Sequence, residues 1–209
     1  MIELKFVCIA DTHMRHDQVD IPDGDVLLCA GDFTNYGTKK DVKAFNEFLN
    51  SKDHNYKVII AGNHDFLFDN NPELARSLLT NCIYLEDSSV EIEGVLIYGA
   101  PWQPWFYDWA FNLPRGEALR NKWSLIPENT DILMTHGPPY GHGDKVINNG
   151  PQGCVDLLDA IRNLKPKYHV FGHIHEGYGI TKEGKIVCIN ASNVDVHYKP
   201  VNPVITFDI

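Results

Sequence analysis

No apolar run in this chain approaches the ~20 residues that a membrane-spanning helix needs. Basic residues are also scarce: 18 Lys and Arg stand against 28 Asp and Glu, a formal net charge of -10. The first lack leaves no candidate membrane helix. The second argues against tight binding of long nucleic acids, whose affinity rests mainly on Lys and Arg contacts to phosphates. Small anionic substrates stay open, provided that cations sit in the site. Cysteines are few and unpatterned: Cys8, Cys29, Cys82, Cys154 and Cys188 are odd in number, and three lie inside apolar runs. They read as reduced structural thiols, not as a disulfide framework. Repeats, low-complexity tracts and linkers are absent too, so residues 1–209 are expected to form one domain.

What is present is ordinary for a folded protein: 44% hydrophobic and 22% charged residues. Met1 to Ala10 mixes apolar residues with Glu3 and Lys5 and reads as a first strand, not as a signal peptide. A soluble, cytoplasmic protein is the expectation. Short β-rich segments recur at Leu4–Ala10, Val26–Ala30, Val58–Ala61, Val95–Gly99, Ile132–Thr135, His169–Phe171, Ile186–Ile189 and Val204–Phe207. Helical periodicity marks Lys39–Leu49, with Val42, Phe45, Phe48 and Leu49 on one face, and the stretch from Val155 to Arg162. Asn71–Leu79 is a shorter helix, with Pro72 in its first turn. Strand and helix alternate in the first half, while the second half looks richer in strands without helices between them. This pattern predicts an α/β domain with two sheets. Trp102, Trp105, Phe106, Tyr107, Trp109 and Phe111 crowd a segment between two strands, expected to be a loop with a small core of its own. It is a candidate wall for a nucleobase, although aromatic clusters commonly serve packing.

Metal-capable side chains gather directly after predicted strands, usually beside a glycine. The blocks are Asp11-Thr12-His13, Gly31-Asp32, Gly62-Asn63-His64-Asp65, His136-Gly137-Pro138-Pro139 and Gly172-His173-Ile174-His175. Glycine at each turn allows positive φ and close backbone approach, and its neighbours supply oxygen or imidazole donors. Carboxylate, amide oxygen and imidazole without thiolate suit manganese, iron or zinc and exclude an all-thiolate structural site. Singly, such residues more often cap turns or satisfy other polar groups; the ordered set of five blocks carries the inference.

That order resembles the calcineurin-like metallophosphoesterase superfamily. It is similar in particular to small metallophosphoesterase-domain proteins related to class III cyclic-nucleotide phosphodiesterases, through Gly31-Asp32-Phe33-Thr34-Asn35, the stretch from His136 to Asp144, and the stretch from Gly172 to Gly179. Trp102-Gln103-Pro104 and Asn190-Ala191-Ser192 match as well. The resemblance implies a sandwich of two mixed β-sheets flanked by helices in four layers. It implies two divalent or mixed-valence metal ions, Mn or Fe or else Zn. Asp11, His13, Asp32 and His175 would hold one, and Asp32, Asn63, His136 and His173 the other, with Asp32 bridging. A shared hydroxide would attack phosphorus, His64 would act as general acid, and Asp65 would orient its imidazole. The implied substrates are small phosphodiesters, cyclic nucleotides among them. Gly31-Asp32 leads into Phe33-Thr34-Asn35, not the Asp-Arg-Gly of serine/threonine phosphatases, and the acidic balance disfavours a nuclease. A phosphomonoesterase of the same superfamily remains an alternative. So does a non-catalytic interaction module, against which the filled ligand set argues. His142 and Asp144 are open between substrate contact and loop structure; His16, His54, His169 and His197 match no motif.

Overall fold

The structure is a computed structural model and describes residues 3–209. In chain order the elements are β1 (Lys5–Ile9), β2 (Val26–Ala30), α1 (Lys39–Asn50), β3 (Tyr56–Ile60), α2 (Phe66–Asn70), α3 (Pro72–Leu78), β4 (Ile83–Tyr84), β5 (Ser88–Ile92) and β6 (Val95–Ala100). There follow β7 (Gln103–Pro104), β8 (Asn112–Leu113), α4 (Glu117–Trp123), β9 (Ile132–Thr135), β10 (Lys145–Val146), β11 (Gly150–Pro151) and α5 (Val155–Leu164). The last are β12 (Tyr168–Phe171), β13 (Gly179–Glu183), β14 (Ile186–Asn190) and β15 (Ile205–Asp208). Among the described residues no helix is long and apolar enough to cross a membrane.

Two mixed sheets carry the fold, one ordered β15-β1-β2-β3-β4 and the other β13-β14-β12-β9-β6-β5. Alternation along each strand decides which layer a side chain enters. On β1, Phe6 and Cys8 face the second sheet, packing with Ile97, Ile132, Met134 and Val170. Val7 and Ile9 face the other way, onto Val42, Phe45, Phe48 and Leu49 of α1. The second sheet divides likewise: Tyr98, Leu133 and Phe171 lie against Leu119 and Trp123 of α4 and Leu157 and Ile161 of α5. Helix, sheet, sheet, helix are thus the four layers that the resemblance implies.

Strands β1, β2 and β3 are mutually parallel, as are β9 and β12, so their C-terminal ends open on common edges. An isolated parallel bridge from Ala10 to Ser192 ties the edges together. Helix α1 begins at a capping box between Thr38 and Asp41 and buries the face that its periodicity marks. Helix α5 forms where its periodicity marks it, whereas α4, which the strand-rich reading of the second half does not anticipate, joins it on the outer face of that sheet. Helix α4 escapes the sequence because its N-cap is Gly116 and no side chain caps it.

Candidate metal centre

The five motif blocks meet where the two sheets open. Asp11 and His13 follow β1, Asp32 follows β2, Asn63 and His64 follow β3, His136 follows β9, and His173 and His175 follow β12. Ligand-capable atoms of Asp11, His13 and His175 lie within 4.8 Å of one another, and so do those of Asp32, His136 and His173. His13, Asp32 and His64 form a third such group between them.

Backbone geometry at these blocks is costly and specific. Asp11, His13, Asp32 and His173 all have positive φ, at 51°, 42°, 53° and 70°. This region is sparsely populated outside glycine, and such residues cluster at functional sites. The glycines work partly as expected. Gly31 has φ 96°, but Gly62 and Gly172 are needed for room. A Cβ on Gly62 would stand 2.5 Å from Cε1 of His136 and inside the shell of Asp32 Oδ1, and one on Gly172 would meet the Asp11 carboxylate. Their missing side chains let the donors come together.

Hydrogen bonds fix which imidazole nitrogens face inward. His136 Nδ1 stands 2.9 Å from the Ala30 carbonyl and His175 Nδ1 3.1 Å from that of Asp195. A carbonyl only accepts, so both Nδ1 atoms carry hydrogen, and Nε2 is the nitrogen left to face the cluster. The His136 Nε2 then faces Asn63 Oδ1 at 2.9 Å and Asp32 Oδ2 at 3.3 Å. The His175 Nε2 faces His13 Nε2 at 3.3 Å. Asp11 Oδ1 and His13 Nδ1 are buried without a hydrogen-bond partner, while Asp11 Oδ2 accepts from the His173 N–H at 2.8 Å. Buried oxygen and imidazole donors converging in this way, some without a hydrogen-bond partner, suit a bound cation.

Electrostatics points the same way. Burial works against the Asp32 charge, yet His136, His64 and His13 hold its carboxyl well below the usual range. Burial likewise opposes protonation of His136, but the Asp32 charge outweighs it and pushes His136 upward. Burial pushes His13 down to about 3 and His173 well down. The cluster thus favours positive charge beside Asp32, carried by His136 where no ion is bound, and keeps His13 and His173 neutral, as a divalent ion requires of its ligands. Nitrogen and oxygen donors without thiolate therefore fit such ions.

His64 Nδ1 stands 2.8 Å from the Asn35 carbonyl, so its Nε2 is the inward atom, 4.0 Å from Asp32 Oδ2. The expected orientation of His64 by Asp65 is not what forms. The Asp65 carboxylate accepts instead from the N–H groups of Asp32, Gly62 and Thr34 and from the Thr34 hydroxyl. A short buried acceptor serves a tight turn better than a neighbouring ring, because three buried N–H groups have no other partner. His142 and Asp144 likewise serve the loop. His142 contacts Thr181 and Glu183, and Asp144 accepts from Gly141 and Gly153. His16, His54 and His169 are buried away from the cluster, and His197 is exposed near its rim.

The sequence pattern does not reveal Tyr198, whose ring is 4.7 Å from His13 and 5.4 Å from His175. The aromatic segment splits in two. Phe111 joins the core under α1, whereas Trp109 lies 4.3 Å from His64 and Phe106 5.1 Å from His173.

Residues 4–177 match the family model described as calcineurin-like phosphoesterase. The chain belongs to the calcineurin-like phosphoesterase family. It is 50% identical over 230 residues to metallophosphoesterase domain-containing protein 1 of Homo sapiens, covering 98% of this chain and 71% of that one. It is 43% identical to a UPF0046 protein of Caenorhabditis elegans, covering 95% of this chain and 59% of that protein. The fold recurs in the Thermus thermophilus protein TT1561, with a TM-score of 0.63 at 14% identity over 99% of both chains. It recurs again in a 5'-nucleotidase precursor from the same organism, with a TM-score of 0.53 at 15% identity over 90% of this chain and 48% of that one. Members of this metallophosphoesterase family use divalent metals, and the His/Asp cluster of this chain has donors that could hold them.

Proposed function

We propose that this calcineurin-like chain is a dinuclear metal-dependent phosphodiesterase. The observation that carries the reading is the convergence of donor atoms of Asp11, His13 and His175, and of Asp32, His136 and His173, each group within 4.8 Å. Asp11, His13, Asp32 and His175 would hold one ion, and Asp32, Asn63, His136 and His173 the other. Manganese or iron suits these donors, and zinc is the alternative. Such ions supply an activated water and neutralise the phosphoryl oxygens during in-line displacement.

The chain's own groups do the rest. The Asn35 carbonyl holds the His64 ring so that Nε2 points to the cluster. From there a protonated Nε2 donates to the departing ester oxygen. Asp65 clamps the turns that carry Asp32 and Asn63. Both sheets contribute donors, which supports reading residues 1–209 as one domain. Small phosphodiesters are the substrate class, and the motif resemblance favours cyclic nucleotides among them. A soluble, cytoplasmic setting suits such substrates.

The test is turnover of bis-p-nitrophenyl phosphate, p-nitrophenyl phosphate and 2′,3′- and 3′,5′-cyclic AMP by purified protein, with and without manganese, and with Asp32→Ala as control. Diester turnover that needs both metal and Asp32 is expected. Full metal occupancy with no turnover of any phosphoester would replace this reading with a non-catalytic interaction module.

A further inference from the structure

From the end of β14 the chain turns polar without coming to the surface: Asn190, Ser192 and Asn193 are fully buried, and so are Ala191 and Val194 beside them. A buried amide is costly unless it is hydrogen-bonded, so the partners of these residues say what the segment does. The Ala191 N–H donates at 2.7 Å to the carbonyl of Phe171, at the end of β12. Asn190 Nδ2 donates to the carbonyls of Ile174 at 2.8 Å and Gly143 at 3.1 Å, and its Oδ1 accepts the Ser192 N–H at 3.1 Å. These bonds grip the second sheet on both sides of His173.

By Asn193 the same segment has crossed to the first sheet. Asn193 engages both backbone groups of Ala10, the residue before Asp11: its N–H donates to the Ala10 carbonyl at 2.9 Å, and its Oδ1 accepts the Ala10 N–H at 3.3 Å. The Asp195 carbonyl then accepts from Nδ1 of His175 at 3.1 Å. Asn202 braces the segment from outside, its Nδ2 donating to the carbonyls of Ser192 at 2.9 Å and Val194 at 3.3 Å. The two sheets abut here, since a Cβ on Gly172 would stand 2.6 Å from that of Ala10. Among the described residues the segment makes no hydrogen bond to Asp32, Asn63 or His136, whose partners lie elsewhere. The match to the family model ends at residue 177, before this segment begins.

Resting on the reading that two ions bind, we infer that residues 190–195 are a strut that sets the spacing between the sheets at one ion, and that Asn193 is its positioning residue. Asn193 touches neither ion nor substrate. It acts through Ala10 on Asp11 and His13, which come from the first sheet, and through the Asp195 carbonyl on His175, which comes from the second. Groups that hold metal ligands from behind tighten binding because the donors are already in place. The donors on the other side, Asp32, Asn63 and His136, are fixed by Asp65 and the Ala30 carbonyl instead. Loss of Asn193 therefore loosens one ion and spares the other.

The experiment titrates manganese into the unaltered protein and its variants by calorimetry, with thermal melting measured alongside. The unaltered protein is expected to bind two ions. In Asn193→Ala one of them should bind roughly tenfold more weakly, the lower part of the range for groups that orient metal ligands, and the other should keep its affinity. Asn46→Ala is the control for stability alone, because Asn46 is a buried amide of α1 whose Oδ1 accepts the N–H groups of Thr80 and Asn81 at 2.8 and 2.9 Å. It should lower the melting temperature and leave both affinities unchanged. Asn202→Ala removes only the outer brace and should weaken the same ion, which decides the matter if Asn193→Ala does not fold. If the unaltered protein binds two ions and the strut variants that fold keep both affinities, or lose both equally, the inference is wrong while the dinuclear reading stands. If the unaltered protein binds fewer than two ions, both fall.

Discussion

The carboxylate of Asp65 holds the backbone of Asp32: its Oδ2 accepts the Asp32 N–H at 2.8 Å and the Gly62 N–H at the same distance. Its Oδ1 takes the Thr34 N–H at 3.0 Å and the Thr34 hydroxyl at 2.7 Å. One buried side chain thus fixes the turns after β2 and β3, and through them the spacing of Asp32 and Asn63. Burial and then the Asp32 charge push its pKa up to about 7, against the pull of the Thr34 and Gly62 hydrogen bonds. Asp65→Ala leaves three buried N–H groups without partners, at about 1–3 kcal/mol each. Thermal denaturation should show a loss of several kcal/mol, with weakened metal binding by calorimetry. The pH dependence of whatever turnover remains should keep its midpoint, because Asp65 does not bond to the His64 ring. A shifted midpoint would restore an orienting role for Asp65.

His64 is predicted to separate metal binding from proton donation. His64→Ala removes the Nε2 that faces Asp32 at 4.0 Å but none of the two outer donor groups, Asp11–His13–His175 and Asp32–His136–His173. Metal content measured by mass spectrometry should therefore persist. Turnover of alkyl diesters should fall by roughly 10²- to 10⁴-fold, the usual contribution of a positioned acid. For p-nitrophenyl esters, whose leaving group barely needs a proton, the loss should be much smaller. Equal losses on both classes would remove the acid role, and loss of metal would make His64 a ligand.

Room, not flexibility, is what Gly62 contributes. Gly62→Ala puts a methyl group 2.5 Å from His136 Cε1 and against Asp32 Oδ1, both part of the packed donor cluster. Overpacking of this kind costs roughly 1–3 kcal/mol and should spread the donors apart. Divalent ions that bind the folded state stabilise it by mass action. Manganese should consequently raise the melting temperature of the unaltered protein, chelator should reverse the rise, and Gly62→Ala should lose most of it. A manganese-induced rise retained in full would show that the close approach is unimportant.

The side-chain half of this site is legible in the sequence, because Asp, Asn and His are residue-specific donors and each sits directly after a strand with strong β-pattern. The other half is carried by backbone atoms. The carbonyls of Ala30, Asn35 and Asp195 select the imidazole tautomers, and every residue has such a carbonyl. Tyr198 is hidden for a different reason: it lies in a short polar turn with positive φ, with no periodic pattern to mark it. In the fold, strands buried on both faces stand out as apolar runs. Strand β5 pairs only with β6 at a sheet edge, and its Ser88-Ser89-Val90-Glu91-Ile92 is half-exposed, so the hydrophobic signal fades there. Helix α2, five residues long, is too short to show a period.

His169 gives the molecule an acid-sensitive core position. It is fully buried on β12, its Nε2 is 2.8 Å from the Thr135 hydroxyl, and its Nδ1 has no partner. Burial, then the nearby His142, lowers its pKa to about 3, against about 6.5 in an unfolded chain. The folded pKa is the lower one, so between these values the unfolded state binds a proton that the folded state refuses. Stability is unaffected above about pH 6.5 and falls as pH drops towards about 3, by up to about 1.4 kcal/mol per pH unit for this one group. Other buried histidines add to the slope, so the informative comparison is with His169→Gln, which keeps a polar partner for Thr135 but cannot titrate. Urea unfolding of the two proteins at pH 7.5, 6 and 5 should show the variant less stable at neutral pH, yet losing less on acidification. The difference in slope between pH 6 and 5 should approach one proton. Parallel stability curves would mean that His169 takes up its proton in the folded core and that burial does not hold it neutral.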